Sequence, residues 1–335
     1  MDPVAALARL LHDGTGLWLA PGDGVAPAGC AVVATSGSTG DGKLVVVGRD
    51  ALTAAAAMAH ERLGFEATWH LTLASHYVAG LMVLVRGALG AGVAYASSDL
   101  HDLAAVPGRN AVSIVATQLH RALADATVTA RLAEFDAVLV GGAALRADLR
   151  ERAEAAGIRV IETYGMSETC GGVVWDGVPL PGVDARIGEG GRILLGGPTL
   201  FEGYLGRADL TAAVLVDGML RTSDRGRLEA GQLVVEGRLD DVVISGGVNV
   251  DLAVVRSAAA ALHPDTAVLA VEDAEWGARV VLFAPAGTLE QWRDDLRPAL
   301  PAAWLPRQLV LADPLPRTAG GKPDRVTLEG LVGRG

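Results

Sequence analysis

Five short apolar runs, interrupted by helical stretches, limit the architectures open to the first two-thirds of this chain. AVVATS (31–36), LVVV (44–47), VSIVAT (112–117), AVLVGG (137–142) and IRVIET (158–163) read as buried strands. Between them, Asp50–Leu63, Gln118–Ala126 and Leu145–Ala156 carry apolar residues at three- and four-residue spacing, the period of a helix with one buried face. Asp50 is the expected N-cap of the first. Strand alternating with helix predicts an α/β fold with a mostly parallel, helix-covered sheet. After Gly171 short runs are separated by Gly, Pro and Asp, as in VVWDG and GRLEAGQLVVEGR. This pattern predicts a small β-rich subdomain over 172–239, with EAGQ and DG as hairpin turns. From Asp240 the strand–helix pattern returns. The expected organisation is a large N-terminal domain over 1–239 and a small α+β C-terminal domain over 240–335.

Composition excludes several function classes. Half of the 335 residues are hydrophobic, enough for a sizeable core and incompatible with intrinsic disorder. A net charge of −11, no basic run and 4% aromatic residues argue against nucleic acid as a partner. The start, MDPVAALARLLHDG, reads as an amphipathic helix rather than a signal peptide. The apolar stretch Leu81–Ala96 is interrupted by Arg86 and too short to span a bilayer. No membrane insertion and a cytoplasmic location are therefore expected. Cys30 and Cys170 have no metal-ligand spacing.

Of 28 basic residues only two are lysine, Lys43 and Lys322, and both lie in glycine-rich loops, TSGSTGDGK and TAGGK. An ammonium is a compact point charge that a guanidinium replaces poorly where a single oxygen must be met. The first loop has the spacing G-x4-G-K, but Leu44 stands where a Walker loop needs a hydroxyl, and LVVV follows where a helix is required. What remains is either a plain hairpin or a nest of N–H groups and hydroxyls around a polyphosphate, with Lys43 as counter-charge.

Four further motifs follow in order: Tyr164-Gly-Met-Ser-Glu-Thr169, Arg221-Thr-Ser-Asp224, Gly237-Arg-Leu-Asp-Asp-Val-Val-Ile-Ser-Gly-Gly247 and Pro316-Arg-Thr-Ala-Gly-Gly-Lys322. With the loop, they resemble the acyl-adenylate-forming superfamily of acyl-CoA synthetases, adenylation domains and luciferases, from about residue 30 to the end of the chain. The resemblance implies activation of a carboxylic acid with ATP and Mg²⁺ as acyl-AMP, then transfer to a thiol, usually that of CoA. It implies that Ser36, Ser38, Thr39, Gly40 and Lys43 hold the β- and γ-phosphates, Ser167 the α-phosphate, and Glu168 the Mg²⁺. Tyr164 and Gly165 would lie on one side of the adenine and Gly141, Gly142 and Ala143 on the other. Asp224 and Arg238 would meet the ribose. Lys322 would reach the reacting carboxylate, carried by a mobile C-terminal domain that turns about a hinge at Asp240. Taken alone, Glu168 reads as a solvated surface carboxylate and Asp240-Asp241 as an exposed turn.

The segment LASHYVAGLMVLVR resembles the family's acyl-pocket motif. On that basis His76 is a candidate catalytic and acyl-site residue, with Gly80 where a loop opens onto the pocket. A finer resemblance, carried by HxxAGLxVLVR and YGxSETCGGxVxDGxPLxGV, is to the o-succinylbenzoate–CoA ligases of menaquinone biosynthesis, in their short actinobacterial form. That substrate has a second carboxylate, for which Arg86 is the candidate partner; a helix-end surface arginine is the alternative. Three departures stand out: little chain precedes the phosphate loop, the hinge motif continues GGVNVD rather than GGENI, and Ser167 replaces the commoner Thr. A ligase for another aryl or acyl acid feeding a carrier protein, and a non-catalytic nucleotide-binding regulator, remain the competing readings.

Overall fold

The computed structural model describes residues 3–35, 43–318 and 322–333. Within them the strands build four sheets. In the largest, Gly92–Tyr95, Thr68–Leu71, Asn110–Val115, Ala137–Gly141 and Val160–Met166 lie parallel. Gly171–Trp175 and Val178–Pro179 extend it antiparallel beyond Val160–Met166. Strand period two divides the side chains between faces. Val112, Ile114, Val138 and Val140 pack with the helices Ala116–Ala122, Ala126–Ala133 and Ala147–Ala155. Ala111, Ala137 and Leu139 pack with the helices Arg49–Leu63 and Val78–Ala88. Burial on both faces explains why these strands read as continuous apolar runs.

Those two helices also cover a second sheet of Leu17–Trp18, Cys30–Ala34, Leu44–Gly48 and Gly203–Tyr204. A third, antiparallel sheet contains Asp184–Ile187, Arg192–Gly196, Leu215–Val216, Met219–Glu229 and Gln232–Arg238. Its tight turns are Asp217-Gly218 and Ala230-Gly231, both with positive φ at each residue (51°, 73° and 49°, 82°). Such turns match the twist of the strands they join. The fourth sheet, Val242–Ser245, Val248–Asp251, Ala267–Asp273, Gly277–Ala284 and Gln308–Leu311, carries the helices Leu252–Leu262, Leu289–Leu296 and Arg325–Val332. Arg225 Nη2 contacts Asp251 Oδ2 at 2.7 Å, and Arg146 Nη1 donates to the Ala260 carbonyl at 2.7 Å, joining this part to the rest.

The expected α/β class is borne out, and several local expectations are corrected. Helix Gln118–Ala126 is two helices, because Asp125 caps a new one by accepting from Thr127 and Val128 N–H (2.8 and 3.2 Å). Gly48, not Asp50, is the N-cap residue of Arg49–Leu63, and Asp50 sits in the first turn, where its charge favours the helix dipole. VVWDG does not start a separate β-rich unit, since Gly171–Trp175 pairs with Val160–Met166. The stretch around Gly80 is no open loop but the first turn of Val78–Ala88. A Cβ on Gly80 would come 2.4 Å from the Ala74 carbonyl oxygen, so glycine is needed for that close approach. Among the described residues no helix is long and apolar enough to cross a membrane.

Candidate active site

The glycine-rich loop leaves one sheet and re-enters it at one place. Cys30–Ala34 and Leu44–Gly48 are antiparallel with Ala34 opposite Leu44. Thr35 N–H donates to the Lys43 carbonyl (3.0 Å), and Lys43 N–H donates to Thr35 Oγ1 (3.2 Å). Ser36, Ser38, Thr39 and Gly40 lie outside the described residues. Lys43 is exposed, with Nζ 4.8 Å from the centre of the Tyr204 ring. The Ala34 N–H donates to the His76 carbonyl at 3.1 Å, which fixes His76 beside the start of the loop.

Ser167 and Glu168 occupy a turn at the C-terminal end of Val160–Met166. Buried Thr169 braces it: the Met166 N–H donates to Thr169 Oγ1 (3.0 Å), and that hydroxyl lies 2.8 Å from the Gly171 carbonyl. The Glu168 carboxylate accepts from the Tyr204 hydroxyl at 2.6 Å, and its carbonyl accepts from Phe201 N–H at 2.9 Å. Burial, then the Glu168 charge and hydrogen bond, push the Tyr204 phenol well above its ordinary pKa.

The same edge of the parallel sheet holds the other candidates. Gly142 and Ala143 are exposed just beyond Ala137–Gly141, at the carboxyl end where open α/β sheets bind ligands. Added Cβ atoms on Gly141 and Gly165 would meet Thr163 Oγ1 at 2.6 Å and the Gly171 carbonyl oxygen at 1.9 Å. The backbone here lies bare because its neighbours leave no room for side chains.

Tyr164 Oη donates to Asp224 Oδ2 at 2.7 Å. Burial, then the Asp224 charge, raise that phenol's pKa far above the ordinary value, so it stays a donor. Asp224 N–H is held by Thr222 Oγ1 (3.1 Å), and Thr222 is itself buried. Arg238 lies opposite Asp224 across the strand pair, with Nη1 3.7 Å from Asp224 Oδ1.

Lys322 joins this group from the C-terminal part. Its turn is closed by Thr318 N–H donating to the Lys322 carbonyl at 2.7 Å. The residue is exposed, yet desolvation of the ammonium and the Arg238 charge lower its pKa, while Asp224 opposes them. Lys322 thus stands within the field of both residues.

The structure therefore brings Lys43, Ser167 and Glu168 to one end, and Tyr164, Asp224, Arg238 and Lys322 to the other. Asp240 adjoins the second group through Arg238 (2.7 and 2.8 Å). Gly80 and Arg86 are buried in Val78–Ala88, and the Arg86 guanidinium lies 4.9 Å from the Trp69 ring. Tyr204 lies outside the sequence motifs, and Thr222, inside the motif Arg221–Asp224, had no role assigned there. Tyr204 is one of four tyrosines in a chain poor in aromatics, the only signal that could have marked it.

Residues 25–205 match the family described as AMP-binding enzyme. The chain is 41% identical over 320 residues to a probable 2-succinylbenzoate–CoA ligase of Mycobacterium tuberculosis, covering 89% of this chain and 83% of that protein. The chain belongs to the AMP-binding enzyme family. It is 32% identical over 296 residues to the 2-succinylbenzoate–CoA ligase of Escherichia coli, covering 82% of this chain and 64% of that one. Among solved structures it resembles the o-succinylbenzoate coenzyme A synthetase of Bacillus subtilis in complex with ATP and magnesium ion. There the TM-score is 0.76 at 26% identity, covering 89% of this chain and 69% of that one. The motif-based resemblance to adenylate-forming enzymes is borne out by this membership.

An AMP-binding enzyme calls for Mg²⁺, and the residues fit it in one way. Among the described residues no cluster of three His, Cys, Asp or Glu could cage a metal ion. Mg²⁺ is commonly held by one or two carboxylates plus substrate phosphates and retained waters. A single oriented carboxylate, Glu168, close to the end of the phosphate loop, fits that donor set.

Proposed function

We propose that this chain is an AMP-forming acid–thiol ligase that converts o-succinylbenzoate to its CoA thioester in menaquinone biosynthesis, in the cytoplasm. The reading is supported by the match of residues 25–205 to the AMP-binding enzyme family, and by Lys322, whose ammonium feels the charges of both Asp224 and Arg238. A nucleotide-binding regulator has no use for a cation there. The choice of acid is supported by the 41% identity to a probable 2-succinylbenzoate–CoA ligase.

In the first half-reaction a carboxylate oxygen of the acid attacks the α-phosphorus of ATP. The bond to the β-phosphate oxygen breaks, and pyrophosphate leaves. Two anions must meet while charge builds between them, so fixed cations and donors carry the catalysis. Lys43 and the loop hydroxyls hold the outgoing phosphates, and Ser167 meets the α-phosphate. Asp224 accepts from the ribose hydroxyls, a pairing for which a carboxylate has enough acceptor sites. Tyr164 and Gly165 face adenine against Gly141, Gly142 and Ala143. Lys322 bridges the reacting carboxylate and the α-phosphate. Bound Mg²⁺, held by Glu168, would supply charge neutralisation on the phosphates. His76 lies on the acyl side, and Arg86 is the partner of the acid's second carboxylate. In the second half-reaction the CoA sulfur attacks the acyl carbon, AMP leaves, and the thiol proton passes to solvent. The C-terminal part, 240–335, turns about Asp240 between the two steps.

The test incubates the purified chain with ATP, Mg²⁺, CoA and a panel of acids. AMP, pyrophosphate and the thioester should form, with kcat/KM higher for o-succinylbenzoate than for benzoate, succinate or fatty acids. ADP and phosphate as products would overturn the adenylating chemistry. A preferred simple monocarboxylate would overturn only the choice of acid.

A further inference from the structure

We propose that Tyr204 is a positioning residue of the phosphate and metal end of the site, its hydroxyl orienting the Glu168 carboxylate while its ring seats the Lys43 ammonium. The proposal rests on the adenylating reading given above.

The segment around Tyr204 touches two motifs that are far apart in sequence. Glu202 N–H donates to the Val46 carbonyl (2.9 Å) and Leu205 N–H to the Leu44 carbonyl (2.8 Å), so it is stitched to the strand by which the glycine-rich loop returns. Phe201 N–H donates to the Glu168 carbonyl (2.9 Å), so it is stitched equally to the Ser167–Thr169 turn. Residues 201–205 form a splint between them. Tyr204 lies on that splint, opposite Val45 and two residues from Lys43 in register.

Both its backbone and its ring are held. Thr211 Oγ1 accepts from the Tyr204 N–H at 2.9 Å, the Phe201 ring meets it edge-on at 5.0 Å, and only 7% of the residue is exposed. The phenol can therefore act as a rigid two-ended support. At one end the hydroxyl donates to Glu168 Oε1 (2.6 Å), a charge-assisted bond that occupies one carboxylate oxygen and aims the other. At the other end the ring face draws Lys43 Nζ, 4.8 Å from its centre, through the ring quadrupole. The lysine and the glutamate thus meet opposite parts of one side chain, the ammonium on the ring face and the carboxylate on the hydroxyl, each able to meet phosphate or metal.

A residue that merely filled the core would tolerate loss of its hydroxyl. The experiment compares Tyr204→Phe, Tyr204→Leu, Glu168→Gln and the double variant Tyr204→Phe/Glu168→Gln in the full chain, each checked by circular dichroism. Calorimetry measures the Kd of Mn²⁺·ATP and of ATP in EDTA, and a rate assay measures the Mg²⁺ concentration giving half-maximal AMP formation. Tyr204→Phe should raise both metal-dependent quantities about tenfold, the scale of a hydrogen bond to a charged group, and leave the metal-free ATP Kd unchanged. Tyr204→Leu should weaken metal-free ATP as well, because Lys43 loses its seat. In the Glu168→Gln background the hydroxyl should count for little, since it acts through that carboxylate. The role is overturned if Tyr204→Phe binds Mn²⁺·ATP like the wild type, or loses the same factor whether or not Glu168 is present. A wild type that forms no AMP from any acid overturns the adenylating reading instead, a result distinct from either.

Discussion

Arg238 holds Asp240 by two hydrogen bonds, from Nε at 2.7 Å and Nη2 at 2.8 Å, while its remaining nitrogen stands 3.7 Å from Asp224. One guanidinium thus links the proposed hinge to the proposed ribose carboxylate. Burial opposes ionisation of Asp240, but Arg238 outweighs it and holds the carboxyl below the usual range. An exposed ion pair of this kind contributes little stability. Its consequence is geometric, since it ties Arg238 at the strand end to the middle of the tight turn Leu239–Asp241 and favours the present arrangement.

Asp240→Pro tests that turn as a hinge. Proline fixes φ near −65°, within the range of a 3₁₀ turn, and removes the freedom to rotate away. Acyl-AMP formation from acid and ATP should survive, and thioester formation from pre-made acyl-AMP and CoA should fall. Loss of adenylation with transfer intact would reverse the assignment of the present arrangement to the first half-reaction.

Lys322→Ala should show the opposite bias. A donor aimed at developing charge typically accounts for ~10²–10³ in rate. Adenylation should drop by that order, while transfer from pre-made acyl-AMP stays within a few-fold of wild type. Equal loss of both half-reactions in a folded variant would remove Lys322 as a step-specific group.

The pH dependence follows from the same residue. Desolvation first, and the Arg238 charge second, lower the Lys322 pKa. A lowered ammonium pKa means that the cation is lost at lower pH than usual. Adenylation should therefore fall on an alkaline limb lying below the ordinary lysine value of about 10.4, and transfer should lack it. Arg238→Gln removes a repelling charge and should move the limb upward. Single-turnover pH profiles of AMP formation check both directions.

Much of this was legible because local rules and tertiary packing agree. The apolar runs became doubly buried strands, and the DG and AG pairs became turns with positive φ at Asp217-Gly218 and Ala230-Gly231. The motifs named most of the candidate site, since their chemistry depends on residue type at fixed spacing. Illegible were features that depend on partners distant in sequence. Nothing near Tyr204 announces Glu168, 36 residues away. Gly80 read as an opening, whereas its reason is the carbonyl of Ala74 passing beside the helix. VVWDG carried hairpin signals, but only the position of Val160–Met166 decides which sheet it joins.

Two helical glycines should respond oppositely to alanine. Gly→Ala in a helix ordinarily stabilises by ~1 kcal/mol. Gly330 in Arg325–Val332 has open space where a Cβ would go, so Gly330→Ala should raise the urea midpoint. At Gly80 a Cβ would meet backbone oxygens of Ala74 and Leu73 at 2.4 and 2.8 Å, which cannot yield as a side chain can. Gly80→Ala should lower the midpoint by ~1–3 kcal/mol equivalent, the scale of overpacking.

Arg86 joins stability to specificity. The residue is 4% exposed, its Nε is buried without a hydrogen-bond partner, and its guanidinium lies on Trp69. Burial pulls its pKa down to about 10, so the charge persists at neutral pH. Among the described residues no carboxylate pairs with it, and a buried unpaired charge is costly to keep. Such a cost is understandable if a substrate carboxylate supplies the missing partner, the role proposed here for the second carboxylate of o-succinylbenzoate. Arg86→Met keeps length and apolar stem but removes the charge. It should therefore raise Tm, since the desolvation penalty vanishes, while lowering kcat/KM for o-succinylbenzoate by more than tenfold relative to benzoate. Both are measured on one preparation, by thermal denaturation and by AMP release. A variant that gains stability yet keeps its preference for the dicarboxylate would show that Arg86 serves the core alone, and the second carboxylate would then need another partner.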